Sequence, residues 1–553
     1  MLVRNVSSPT LEVALPVWRQ GRYAVLNPAG TVRSVSASTT SNRPLAIHKT
    51  DKTTWKIATE GVPEVVIRYT VYANSLNDRT RHVDDTHAFL SGATVFMYVP
   101  NRRSDPVLVR LEAPSNWEIA SGLDAASDDA RTLLASDYDV LIDSPIEIGI
   151  HERATFDVDG KRHDIVVWGD VPFDSDRLER DFSKIIRAEA AIFGGLPYER
   201  YVFLVHLAPG LSGGTEHLNS TIIQMPPHAL ETQYKVVLSL AAHEMFHTWN
   251  VKRLRPAALR NIDLARENYT DLLWLCEGTT SYYDELILVR AGLEEPDLYL
   301  KKVTETIYQR RARPGTLVQS LAESSFDAWI KFNNPNPDDA NATVSYYEGG
   351  AMASLLLDLE MRRRTHNRAS LDTLMRAMYE AFPASGPGFT TENLVETINR
   401  LTNSKFDELF QNYISGAADY PFEELFPVVG LDMIPTFTGA RAYAGLIMQE
   451  LNGACVVKSV LSDGPAYAAG VNGGDEVVTL NGRKFKAAEI NPHFEQTMAP
   501  GDTVWLQVMR RNRLRRIDFT LGTKPNPRWE LRKVASPSPE QRANYESWLG
   551  CSF

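Results

Sequence analysis

Residues 241–250 read AAHEMFHTWN, and the histidine pair in this stretch decides how the rest of the chain is read. Side chains four apart on an α-helix lie on nearly one face, with Cβ atoms about 5–6 Å apart. His243 and His247 could therefore both hold one zinc ion at about 2.0–2.1 Å. The segment VVLSLAAHEMFH lacks Gly and Pro and offers Val237, Leu240 and Phe246 for burial, which predicts a helix. The competing reading is a surface helix with two solvated histidines. A third ligand separates the two.

Downstream, LLWLCEGTTSYY sets Glu277 just inside a second apolar helix, beside Trp274, Leu275, Tyr282 and Tyr283. A carboxylate is costly there unless something positive neutralises it, and zinc would do so. The weaker alternative is a helix-start glutamate favoured by the dipole. Two histidines and one glutamate leave a fourth tetrahedral position open for a water, as a hydrolytic site requires. Glu244 lies about 100° around the helix from His243. From there it can take that water's proton as general base and deliver it to the leaving amine.

The 553 residues exceed one ordinary core, and a multidomain α+β chain is expected. Lys and Arg total 58 against 69 Asp and Glu, a net charge of -11, which argues against nucleic acid as a partner. Cys276, Cys455 and Cys551 are too sparse for a disulfide framework or a CxxC metal knuckle. The N-terminus shows no charged and then apolar leader, and no window approaches the ~18 apolar residues of a membrane span. The expectation is a cytoplasmic protein, or a periplasmic or secreted one if a signal peptide has been removed.

Period-2 patterning as in VVIRYTVY, ATVFMYV and DIVVWG predicts a β-rich domain over 1–170. After Pro172 the spacing of Leu178, Phe182, Ile185, Ile186 and Phe193 is helical and is stopped by Gly194-Gly195. The strand YVFLVHL and the glycine-bearing LSGGTEHLNS follow, and helical patterns then prevail to about 416. We expect a catalytic domain over 171–425. Short apolar runs punctuated by Asn-Gly, Asp-Gly and Gly-Gly turns predict a small β-rich module over 426–525, with 526–553 as a tail or appendage.

Taken together, HEMFHTWNVKRLRP, WLCEGTTSYY, GGTEHLNS, SYYEGGA, LPVWRQGRY, DSPIEIG and the glycine-punctuated C-terminal module resemble the glycyl aminopeptidase family of gluzincin metallopeptidases with a PDZ domain. The resemblance spans nearly the whole chain. It implies an N-terminal β-sheet domain, a thermolysin-like, mostly helical catalytic domain and removal of small residues, Gly and Ala above all, from peptide N-termini. His243, His247 and Glu277 take the zinc-ligand positions, for one ion, and Glu244 takes the base. GGTEH looks like the exopeptidase motif of related aminopeptidases, with Gly213 and Gly214 in an edge strand that pairs with substrate backbone and Glu216 holding the free α-ammonium. A carboxylate there favours removal of a single residue, because an internal peptide offers no cation. Tyr347 matches the tyrosine that donates to the oxyanion, with Tyr346 its immediate competitor. Rival readings are an endopeptidase on the same zinc core and a non-catalytic PDZ peptide-binding protein.

In the last module, Pro465–Gly470 would be the short PDZ helix, Gly473-Gly474-Asp475 its turn, and Tyr443–Leu446 the loop that captures a peptide C-terminus. The run Lys252-Arg253-Leu254-Arg255 reads either as a carboxylate binder or as a solvated turn that complements the helix dipole.

Overall fold

The computed structural model describes residues 1–126, 129–437, 439–524 and 528–553. The expected boundary between residues 525 and 526 lies outside them. The chain divides into two compact units. One comprises Met1–Tyr269, Tyr283–Leu293 and Met375–Thr390, and the other Thr270–Tyr282, Glu294–Leu374 and Thr391–Phe553.

The first unit begins with antiparallel strands. Val65–Val71 pairs with Val32–Ser38, and Thr10–Ala14 with Thr54–Ala58. Alternation sends Val13, Ile57, Val65 and Ile67 into one fully buried cluster while Arg68 points out to solvent. A five-stranded sheet follows, in the order Glu118–Ser121, Ile146–Gly149, His87–Leu90, Arg81–Val83, Asn74–Ser75. Its Phe89 and Ala120 pack on Val166, Val202, Leu204 and Ile222 of a second five-stranded sheet.

That second sheet positions the site. Lys161–Trp168 runs parallel to Arg200–Leu207, which runs parallel to Ser220–Met225. The crossover that joins the first parallel pair is the helix Ser175–Phe193. Asp174 caps its start by accepting from the Arg177 N–H, and Gly194 at φ 88° ends it. Gly213–Glu216 pairs antiparallel with Ser220–Met225 and forms the edge of the sheet, as the family resemblance implies.

In the second unit, Trp274–Gly278 is a π-helical turn. The sequence predicts an ordinary helix here; the wider turn is a correction. Its cause is a close crossing, because a Cβ on Gly278 would stand 2.4 Å from the Gly350 Cα and one on Gly350 would stand 2.4 Å from the Trp274 carbonyl oxygen. Such π turns recur at functional sites.

The C-terminal segment is more than a tail. Trp529–Lys533 pairs with Leu431–Pro435, and the helix Pro539–Leu549 buries Tyr545 and Trp548. The Trp548 indole donates to the Tyr282 hydroxyl at 2.9 Å, and Tyr282 donates to Asp358 at 2.6 Å. Between these elements, Leu446–Leu451, Ala454–Val460, Glu476–Leu480, Thr503–Arg510 and Arg513–Thr520 form one antiparallel sheet with the helix Ala487–Thr497 alongside.

Candidate metal centre and substrate-binding edge

The helix Tyr234–Phe246 carries His243 and Glu244, and His247 is its C-cap residue. Val237 and Phe246 are fully buried, as the pattern predicts, whereas Leu240 is only half-buried. Phe246 stacks on Tyr283, with ring centroids 4.6 Å apart.

The two imidazoles face each other. Their Nε2 atoms are 3.2 Å apart, while His243 Nδ1 lies 3.0 Å from Asp284 Oδ2 and His247 Nδ1 lies 3.0 Å from the Asn250 carbonyl oxygen. A carboxylate and a carbonyl can only accept, so each Nδ1 carries the ring proton and each Nε2 presents a lone pair to the other. Two lone pairs at this distance repel unless a proton or a metal cation lies between them. Zinc fits this donor set, because metal-ligating histidines typically give their second N–H to a carboxylate or carbonyl.

Local strain supports the arrangement. Val251 sits at φ 88°, a region that a β-branched residue rarely enters, and the turn is held by its N–H bond to the Leu254 carbonyl at 3.0 Å. The Asn250 carbonyl just before it is thereby left facing His247.

Within the first unit, ligand atoms of Glu216, Glu244 and His247 lie within 4.8 Å of one another. Glu277 is 3% exposed. Burial pushes the Asp284 carboxyl up to about 6 against the pull of His243, and burial raises Glu189 well above the carboxylate range.

Glu244 is buried against the edge strand, and a Cβ on Gly214 would come within 2.4 Å of its Oε1. Only glycine lets the strand lie this close. Two residues on, Glu216 is 4% exposed, and a Cβ on Gly21, at φ 80°, would stand 2.6 Å from its Oε2. Lys252 Nζ is 3.8 Å from Glu216 Oε1 and 2.6 Å from Asp143 Oδ1. Asp143 also accepts from the Leu218 N–H at 3.0 Å. Burial works against its charge, yet Lys252 and His217 hold the Asp143 carboxyl well below the usual range. Arg19 Nη2 donates to the Thr215 hydroxyl at 3.0 Å.

The basic run is therefore no solvated turn. Lys252 is 2% exposed, and Arg253 donates to the carbonyls of Leu218, Thr248 and Pro197. In the second unit, Tyr347 is the N-cap residue of the helix Glu348–Thr365. It is half-buried, whereas Tyr346 is 1% exposed, and their rings lie 4.8 Å apart.

Sequence reasoning missed Asp284, Asp143 and Lys252. A signal existed for the first, seven residues beyond Glu277 and hence on the same helical face. Asp143 heads the DSPIEIG segment that had been singled out without a role.

Comparisons with known proteins bear on this architecture. The Peptidase M61 N-terminal domain model matches residues 1–150, the M61 glycyl aminopeptidase model residues 236–353, and a PDZ domain model residues 442–521. Among solved structures, a protein of Idiomarina loihiensis described as an aminopeptidase N family protein superposes with TM-score 0.91 at 26% identity, over 99% of this chain and 96% of that one. An M1 zinc metallopeptidase from Deinococcus radiodurans reaches TM-score 0.46 at 14% identity, over 71% and 83% of the two chains. Among curated relatives, a probable periplasmic serine endoprotease DegP-like of Ectopseudomonas mendocina is 28% identical over 116 residues, and the matched stretch spans 19% of this chain and 24% of that protein's length. No helix among the described residues is long and apolar enough to cross a membrane. With both M61 models on one chain and an equivalent architecture along nearly all of the Idiomarina protein, the chain belongs to the M61 glycyl aminopeptidase family of zinc metallopeptidases and carries a PDZ domain.

Proposed function

We propose that this enzyme is an aminopeptidase that removes small N-terminal residues, Gly and Ala in preference, from peptides. The observation that carries the reading is the opposed pair of Nε2 lone pairs on His243 and His247, 3.2 Å apart with both Nδ1 atoms engaged. One zinc ion held by His243, His247 and Glu277 would supply Lewis acidity and a water of lowered pKa. Glu244 takes the proton of the attacking water and passes it to the leaving amine. Glu216 anchors the α-ammonium, and the open edge of Gly213–Glu216 takes the substrate backbone. Tyr347 donates its hydroxyl to the developing oxyanion.

The spacing of Glu216 and Glu244 supports single-residue cleavage. The α-amine and the scissile carbonyl carbon are only two bonds apart, so their carboxylate partners must stand a few ångströms from each other. The two do so, each with an oxygen within 4.8 Å of a His247 nitrogen.

At the PDZ domain we assign a peptide C-terminus to the groove between Leu446–Leu451 and Ala487–Thr497, where Ala444, Leu446, Leu461 and Phe494 line a cavity. Three free thiols, two of them buried, favour a cytoplasmic setting.

Metal content measured alongside hydrolysis of glycyl, alanyl, leucyl and N-blocked chromogenic amides tests the proposal. Zinc with turnover falling from glycyl to leucyl and absent on N-blocked substrates is expected. Cleavage of N-blocked peptides alone would make the enzyme an endopeptidase, and neither zinc nor turnover would leave a peptide-binding protein.

Two variants probe the supports. Gly214→Ala forces a methyl into the Glu244 carboxylate, and a displacement near 1 Å predicts a fall in kcat of about 10²-fold with zinc retained. Asp284→Asn weakens the acceptor that orients His243, and zinc affinity read by chelator competition is expected to drop about 10- to 100-fold.

A further inference from the structure

We propose that the turn between Arg81–Val83 and His87–Leu90 is a second metal site, built from His82, Asp84 and His87, for a divalent first-row transition metal such as zinc. It shares no residue with the centre on the Tyr234–Phe246 helix. The segment reads His82-Val83-Asp84-Asp85-Thr86-His87. Hairpin pairing sets Phe89 opposite His82, and the Asp84 N–H bond to the His87 carbonyl at 3.0 Å closes the turn. One ligand atom from each of His82, Asp84 and His87 lies within 4.8 Å of the others.

The chemistry of His87 points to a cation. Its side chain is fully buried, its Nδ1 is bonded to Glu147 Oε1 at 2.9 Å, and its Nε2 has no hydrogen-bond partner among the described residues. The tautomer follows from a chain of contacts. The Gln224 amide donates to His206 Nδ1 at 3.0 Å, so His206 carries its proton on Nε2 and gives it to Glu147 Oε2 at 3.0 Å. Glu147 then accepts from His87 Nδ1, which leaves a lone pair on His87 Nε2.

A carboxylate behind an imidazole whose other nitrogen is bare is the support that metal-ligating histidines use. Trp168, stacked on His87 with centroids 3.7 Å apart and planes at 11°, fixes the ring. A proton could not serve as well, because a protonated Nε2 would bury an N–H with nothing to accept it.

His82 stands at the rim, where its Nε2 faces Asp84 Oδ2 at 2.9 Å, so that one ion could take both atoms. The His82 and His87 rings are 5.2 Å apart. Asp84 is set by its other oxygen, which accepts from the N–H groups of Thr86 and His87. Its side chain is 38% exposed, so an ion can enter from solvent. Two carboxylates around neutral imidazoles suit a dication, and imidazole with carboxylate selects zinc, cobalt, nickel or copper over calcium or magnesium.

The test uses the full chain, stripped of metal and reloaded with zinc alone or cobalt alone. Wild type is expected to hold two equivalents. His82→Ala, a rim substitution, should hold one, with unchanged circular dichroism and unchanged hydrolysis of glycyl amides. His243→Ala should also hold one, but without hydrolysis, and the double variant none. In the cobalt form, His82→Ala should remove one set of visible bands and leave the other. A single equivalent in wild type that His82→Ala does not alter would overturn the second site while leaving the first standing. Two equivalents that both survive in His82→Ala combined with Asp84→Asn would overturn it as well.

Discussion

Glu244→Gln is expected to keep its zinc and lose about 10²- to 10⁴-fold in kcat on glycyl amides, the range that a positioned general acid–base supplies. The amide matches the carboxylate in shape, so contact with Gly214 and the packing around a 5% exposed side chain persist. What disappears is the ability to take a proton from water and return it to the leaving amine. The assigned zinc ligands are other residues, and the Nδ1 partners of both histidines, Asp284 and the Asn250 carbonyl, are untouched. Metal analysis and kcat measured on one sample separate the outcomes. Full activity in the zinc-loaded variant would mean that another group moves the proton, whereas metal loss would mean that Glu244 helps to build the centre.

How much of this was legible beforehand depended on whether a residue's partner is local in sequence. His243 and His247 declare themselves because one helical turn joins them. Glu277 does so because a carboxylate within an apolar run demands a counter-charge. The edge strand Gly213–Glu216 was legible only through the family resemblance that GGTEH carries. The π turn at Trp274–Gly278 was not, since it depends on the crossing of Gly278 with Gly350, seventy-odd residues away in sequence. The basic run stayed open between two readings for a related reason. Charge after a helix is ordinarily solvated, and what buries Lys252 is Asp143, 109 positions earlier. The roles of LPVWRQGRY and DSPIEIG likewise emerge only once Gly21 and Asp143 are seen around Glu216 and Lys252.

That surrounding shell makes Glu216 the second decisive test. Glu216→Ala is expected to cut kcat/KM for free-amine substrates by about 10²- to 10³-fold. Removing one partner of a buried, hydrogen-bonded charge pair costs about 2–5 kcal/mol, and each 1.4 kcal/mol is about tenfold. The loss should not come from an orphaned lysine, because Lys252 keeps Asp143 at 2.6 Å while Glu216 stands at 3.8 Å. It should fall on substrates in proportion to their need for an ammonium anchor, so the preference for free over blocked N-termini collapses rather than all turnover falling together. Packing is separated from charge by Glu216→Gln, which still fills the space that Gly21 closes off yet presents no anion. If Glu216→Gln behaves like Glu216→Ala, the charge is what recognises the amine. If it behaves like wild type, Glu216 serves only to hold the edge strand, and the anchor must lie elsewhere in the first unit, with Asp143 the next carboxylate to test.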